Sequence, residues 1–244
     1  MATQNDIQTF ARRGSPFSIN TLSDYFKSAD IEFNRRSLST QLRRMVEANE
    51  LKRLKRGLYI ISNCLKSKFQ PLYNDEMKKI VEILCLSYPF LEICIWSLDD
   101  VKRLSHYASN RDVVLVEVDR DAVEGVFSLL SENIHNRRVF VNPSENEYNY
   151  YINGSRAIVV KPLRTEAPCF KDSKGILHPT IEKIMVDLVS DVDFLPWQDY
   201  EAVRLFDTIF TMYEVSSSKL MRYASRRAKS QKIKELISEI ICKK

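Results

Sequence analysis

Between Arg35 and Ile61 the apolar residues change their spacing, and that change limits what the first part of this chain can become. Leu38, Leu42, Met45 and Val46 fall at i, i+4, i+7 and i+8, one stripe of a helix predicted from about Arg35 to Ala48 with Asn34 as its cap. Most of what remains on that helix is polar or basic. Leu51-Lys52-Arg53-Leu54-Lys55-Arg56 then alternates loosely, Gly57 supplies a turn, and Leu58-Tyr59-Ile60-Ile61 is β-branched and aromatic. A basic helix followed directly by a hairpin with basic residues at its tip is the expectation.

Two shorter helices are predicted before it. Ile7, Phe10 and Ala11 share a face of the first, which should stop at Gly14 with Pro16 just beyond. After a short extended link, Phe17 to Ile19, Asn20 is expected to cap a second helix bearing Leu22, Tyr25 and Phe26. Helix, helix, basic helix, basic hairpin is the order of a winged helix-turn-helix, whose second motif helix enters the major groove while the wing touches the flanking backbone. Arg35, Arg36, Ser39, Thr40, Arg43 and Arg44 would then face DNA, and Lys52, Arg53, Lys55 and Arg56 would neutralise phosphates from the wing. A charged helix face is usually only a solvated face. Its coincidence with a basic hairpin and an uneven charge distribution is what favours DNA.

Residues 1–70 carry 13 Lys and Arg against 6 acids, a net of +7, and residues 216–244 are again +7, so the stretch between them is −9 although the whole chain is only +5. A basic head of this kind is the electrostatic footprint of a nucleic-acid module. In the basic tail, Arg222, Tyr223, Arg226, Arg227 and Lys229 either form a second surface for nucleic acid or a partner, or fold back, with Tyr223 packed inward and the arginines paired to the acidic middle.

From about Asn74 the pattern becomes that of alternating strands and helices. Strands are predicted at Phe90–Trp96, Val113–Val118, Arg138–Val141 and Ala157–Lys161, with helices at about 98–107 (capped by Ser97) and 120–133 and a short helical or irregular piece near 144–151. A linker with Pro162, Pro168 and Gly175 leads to a helical remainder whose apolar faces include Ile181/Ile184/Met185/Leu188, Val203/Phe206/Ile209/Phe210 and Ile233/Leu236/Ile237/Ile240. The expected fold is therefore mixed α and β: a winged helix-turn-helix over 1–70, then a second domain over 71–244 made of a small α/β sheet (74–162) and a C-terminal helical bundle (178–242).

Enzyme chemistry finds little support. His106, His135 and His178 are isolated, and the five cysteines, Cys64, Cys85, Cys94, Cys169 and Cys242, lack CxxC or paired Cys/His spacing, so neither a metal site nor a disulfide framework is expected. There is no GxxxxGK[ST] loop, no dinucleotide fingerprint among the 5 glycines and no GxSxG elbow. One constellation invites a metal-dependent nuclease reading, Asp112, Glu117 and Asp119 on and around a central strand, although Asp119 reads better as the cap of the next helix. No apolar run approaches the ~18–20 residues of a membrane span, and the first residues lack an apolar export signal, so the expectation is a cytoplasmic, non-enzymatic protein without cofactor.

Three short segments resemble a known family. Lys55-Arg56-Gly57-Leu58-Tyr59-Ile60 is similar to the wing of AbiE-type antitoxins, the abortive-infection regulators of type IV toxin-antitoxin systems. His178-Pro179-Thr180-Ile181-Glu182-Lys183-Ile184-Met185-Val186-Asp187-Leu188 resembles the point where that family's C-terminal domain turns helical, and Leu220-Met221-Arg222-Tyr223-Ala224-Ser225-Arg226-Arg227 resembles its Tyr-Ala-x-Arg-Arg stretch. The resemblance implies an N-terminal domain that binds inverted repeats in operator DNA and represses its own operon. It also implies a C-terminal domain that counteracts a nucleotidyltransferase-like toxin without a stable complex. Read from the residues alone, a winged-helix regulator whose second domain senses a ligand or partner stays open beside it.

Overall fold

The structure is a computed structural model that describes residues 3–11, 17–48, 50–55, 57–61, 66–105, 107 and 109–242. The chain divides into two compact units, Met1–Ser67 and Lys68–Lys244, and its fold is a mixture of α and β.

The first unit runs α1 (Gln4–Ala11), β1 (Phe17–Ser18), α2 (Ile19–Ser28), α3 (Arg35–Glu47), β2 (Leu51–Lys55) and β3 (Leu58–Ile61). Its three strands are ordered β1-β3-β2, all antiparallel, which is the helix and hairpin arrangement of a winged helix. Ser18, not Asn20, caps α2: its Oγ accepts from the Thr21 N–H at 3.1 Å, one residue before the helix begins. Asn34 caps α3 as expected, its Oδ1 accepting from the Arg36 N–H at 2.9 Å and satisfying a donor that the helix itself cannot. Leu38, Leu42 and Met45 of α3 bury against Ile7, Phe10, Leu22 and Phe26, each such side chain contributing about 1.5–3 kcal/mol of transfer free energy. Gly14 and Pro16, expected to end the first helix, lie outside the described residues.

The second unit is a three-layer arrangement around a six-stranded sheet of order β6-β7-β5-β4-β9-β8 among the described residues. The strands are β4 (Cys94–Ser97), β5 (Asp112–Val118), β6 (Arg138–Val141), β7 (Arg156–Pro162), β8 (Cys169–Lys171) and β9 (Leu177–Pro179). β5, β7 and β6 run parallel, β4 is antiparallel to β5, β9 is parallel to β4, and β8 closes the edge antiparallel to β9. Side chains alternate between the two faces. Val114, Val116 and Val118 of β5 with Ile158 and Val160 of β7 pack against α4 (Asp75–Ser87) and α6 (Val123–Asn133). Val113 and Leu115 with Ala157 and Val159 pack on the opposite side against α8 (Ile181–Leu188), α9 (Tyr200–Met212), α10 (Ser217–Arg226) and α11 (Ser230–Cys242). The unit also holds the short helices α5 (Asp99–Lys102) and α7 (Glu145–Glu147), the latter running into a π-helical turn at Tyr148–Ile152, and a 3₁₀ helix, Val192–Trp197, between α8 and α9.

Several sequence expectations are corrected here. The strand predicted from Phe90 begins at Cys94, because Cys94 pairs with Glu117 and β5 ends one residue later, leaving Phe90 to Glu92 no strand partner among the described residues and Phe90 97% exposed. The helix predicted over 98–107 is only Asp99–Lys102, and Ser97 is the last residue of β4, although its Oγ does accept from the Asp99 N–H at 3.1 Å. The Pro- and Gly-bearing stretch read as a linker contains β8 and β9, so the helical part starts at Ile181 rather than 178. Asp119 precedes a 3₁₀ turn, Arg120–Ala122, and makes no side-chain cap bond. No helix among the described residues is long and apolar enough to cross a membrane.

Candidate functional site

The first unit presents its basic residues on one side of α3. With Leu38, Leu42 and Met45 inward, the 3.6-residue period places Arg35, Arg36, Ser39, Thr40, Arg43 and Arg44 on an arc of about half the circumference, and all six are exposed. Arg35 reaches back to Asn20 of α2, Nη2 to Oδ1 at 2.5 Å, which fixes the start of α3 against the preceding helix. Arg43 Nε lies 3.0 Å from Glu47 Oε1, an exposed pair of the kind worth about 0.3–0.5 kcal/mol that a phosphate displaces easily. The Thr40 hydroxyl donates to the Arg36 carbonyl at 3.1 Å and keeps an acceptor free for an incoming group. Arg36 and Arg44 have no ion-pair partner among the described residues, which leaves both guanidinium groups available.

The wing continues this surface. Lys52 and Arg53 are exposed on β2, opposite Ile60 and Tyr59 of β3, while Leu51 and Tyr59 turn into the core. The register shifts between Arg53 and Lys55, a local irregularity that bends an edge strand, and Gly57 takes a φ of 78° at the turn, a conformation that suits glycine. Arg56 and the Lys55 side chain lie outside the described residues.

The basic tail is largely turned inward. Tyr223, 1% exposed, donates its hydroxyl to Asp187 Oδ1 at 2.8 Å, and Arg227 holds Asp187 at 2.8 Å and Asp191 as well. Arg226 pairs with Glu166. Of the residues expected as a second nucleic-acid or partner surface, Tyr223 and Arg227 are therefore engaged inside the second unit, Arg226 is tied to its acidic part, Arg222 is exposed and Lys229 is half-buried. The fold-back alternative describes this segment better, because the tail's cations meet the carboxylates of the −9 middle.

Those carboxylates belong to a buried charged cluster that sequence reasoning did not assemble. Glu117 and Lys161 are direct neighbours on β5 and β7, and the strand alternation sends both toward α8. Lys183 of α8, fully buried, donates to Glu117 Oε1 at 2.7 Å and to Asp187 Oδ2 at 2.6 Å. Lys161 donates to Asp193 Oδ2 at 2.7 Å and Asp191 Oδ2 at 3.1 Å. Trp96 Nε1 adds a bond to Glu117 Oε1 at 2.8 Å, and the Tyr148 hydroxyl donates to Asp193.

Burial works against charge on both lysines, but Asp193 and Asp191 around Lys161, and Asp187 and Glu117 around Lys183, hold their pKa values above the ordinary lysine range. Asp191 is likewise penalised by burial, yet Lys161 and Arg227 pull its carboxyl down to about 2. The cluster borders a cavity of about 230 Å³ whose lining includes Glu117, Lys161, Arg164, Asp187 and Asp191. The signal in the sequence was Lys183 and Asp187 at i, i+4 in a helix otherwise almost entirely apolar, a spacing that puts two charges on one face.

The nuclease trio does not gather. Asp112 stands at the opposite end of β5 from Asp119, roughly 20 Å away at 3.3 Å per residue, and pairs with Arg137 and Arg156. Glu117 is committed to Trp96 and Lys183, and Asp119 is exposed beyond the strand. Among the described residues no group of three or more His, Cys, Asp or Glu side chains is arranged to hold a metal ion.

Compared with known proteins, the sequence matches the profile of DUF6577, a family of unknown function, over residues 37–243, from the first turn of α3 through the wing and the second unit. No curated protein matches it.

Proposed function

We propose that this chain, which belongs to the DUF6577 family, is a double-stranded DNA-binding transcriptional regulator that represses its own operon and acts as the antitoxin to a nucleotidyltransferase-like toxin. The observation that carries DNA binding is the exposed arc of Arg35, Arg36, Ser39, Thr40, Arg43 and Arg44 on a helix whose other face is locked into a winged-helix core. A major groove about 12 Å wide admits such a helix, and arginine there reads guanine O6 and N7 in bidentate fashion while Ser and Thr contact bases or phosphates. Lys52 and Arg53 on the wing are placed to neutralise backbone phosphates beside the groove. The antitoxin half rests on the resemblance of the wing, the α8 segment and the Tyr-Ala-x-Arg-Arg stretch to AbiE-type antitoxins. In this role the chain performs no reaction and needs no cofactor.

Hydroxyl-radical footprinting on the DNA upstream of the chain's own gene tests the DNA reading. Protection confined to discrete half-sites, lost in Arg36→Ala, is expected. Uniform weak protection along the fragment would contradict it. For the antitoxin half, co-expression with the product of the adjacent gene should restore growth that this product alone arrests; continued arrest with the regulator present would remove that half and leave DNA binding untouched.

A further inference from the structure

The cavity in the second unit lies outside the carboxyl ends of β5, β7 and β6. Glu117 is the penultimate residue of β5, Lys161 that of β7, and Asn142 and Pro143 directly follow β6. Crevices at the carboxyl ends of parallel strands are where open α/β sheets bind ligands. At about 230 Å³ this one is smaller than the roughly 300–1,000 Å³ pockets that enclose drug-sized molecules. Its occupant should accordingly be small.

The chemistry of the walls narrows the class. Four carboxylates, Glu117, Asp187, Asp191 and Asp193, are bridged by three cations, Lys161, Lys183 and Arg227. Arg111, stacked over the Tyr148 ring and bound to the Val192 and Asp193 carbonyls and to Asn153, is a fourth buried cation beside Asp193, so the cluster is close to neutral. Glu117 is the carboxylate that keeps one oxygen without a protein donor. It is 1% exposed and gives Oε1 to both Trp96 and Lys183, while Oε2 has no hydrogen-bond partner among the described residues and opens on the cavity that the side chain lines. A carboxylate oxygen that opens on a cavity without a protein donor is left to accept from whatever enters, and a protonated amine would supply that donor as a charge-assisted hydrogen bond. A metal ion fits less well, since each of these carboxylates already accepts from lysine or arginine. At the rim of the same cavity Arg164 is exposed, and its guanidinium has no partner among the described residues, so it offers an anchor for an anion.

We propose that this cavity binds a small zwitterion of amino-acid size, its ammonium group on Glu117 Oε2 and its carboxylate at Arg164. The site is independent of the DNA-binding surface, because the ligand is read by residues of the second unit alone.

Calorimetry and saturation-transfer NMR on the full chain without DNA, using the twenty standard L-amino acids, the amines formed by their decarboxylation, and acetate and phosphate as anion controls, test it. At least one amino acid should bind with a Kd at or below about 1 mM. Glu117→Gln, which keeps an acceptor for Trp96 and Lys183, should weaken that binding by about tenfold or more. Arg164→Ala, at an exposed position that leaves folding intact, should weaken the amino acid while leaving the corresponding amine unchanged. Binding by no amino acid, binding indifferent to Glu117→Gln in a folded variant, or binding of the anion controls in preference to the amines would each overturn the proposal. None of these outcomes depends on whether the chain binds DNA.

Discussion

Asp100 shows how one buried side chain sets a measurable pH dependence. It is fully buried, accepts from the Leu72 N–H at 2.9 Å and from Arg103 at 2.8 Å through Oδ1, and leaves Oδ2 without a partner. Burial outweighs both contacts and pushes the carboxyl up to about 6 from 3.8. The folded chain thus keeps a proton that the unfolded chain has already lost, so this residue's contribution makes stability fall as pH rises from about 4 to about 6 and stay level above that. Thermal unfolding at several pH values should show that slope in the wild type and a flatter curve in Asp100→Asn; identical slopes would show that Asp100 does not hold the proton. Asp191 has the opposite sign, its carboxyl being held at about 2, and loses its contribution only below about pH 4. In the sequence Glu117 was visible as an acid in an apolar strand, but grouped with Asp112 and Asp119. Its true neighbour, Lys161, comes from a strand pairing across more than forty residues, which local spacing cannot show.

At the scale of elements, α3 was legible because its three determinants are local: the Asn34 cap, the stripe Leu38, Leu42, Met45, and the polar arc between them. Removing either of the first two gives distinct results. Asn34→Ala should cost about 1 kcal/mol, and Leu42→Ala, at a fully buried position, about 2–5 kcal/mol, both read by denaturant unfolding of the first unit; equal small losses would mean that α3 is not anchored as described. The wing makes a different prediction. Lys52→Ala should leave stability nearly unchanged but reduce the log–log salt slope of DNA binding by about 0.9 if the lysine neutralises one phosphate, and an unchanged slope would take Lys52 off the DNA. The β8–β9 hairpin was not legible, because each strand has only three residues and Pro168, Gly175 and Pro179 surround or end them. They are strands by virtue of the β4 edge, where Cys94 pairs with Leu177, and not through any preference of their own.

For the whole molecule, the charge pattern has two different origins. The basic head places its charge outward on α3 and β2, where Glu47 is its one ion-pair partner among the described residues. The basic tail neutralises the acidic middle through Arg226 with Glu166 and Arg227 with Asp187 and Asp191. The same net charge of +7 in the sequence thus describes an unspent surface in one case and an internal counterweight in the other, and only the pairing distinguishes them. It follows that substitutions of Arg226 and Arg227 should change the stability of the second unit, while those of Arg43 and Arg44 should change DNA affinity. The most direct test of the central claim is fluorescence anisotropy with DNA from the chain's own upstream region, across a salt series, for the wild type and for Arg43→Ala/Arg44→Ala. Sequence-specific binding that the double substitution weakens, with a salt slope reduced by up to about 1.8 for two lost phosphate contacts, is the predicted result; equal, weak binding of both proteins to any duplex would contradict it.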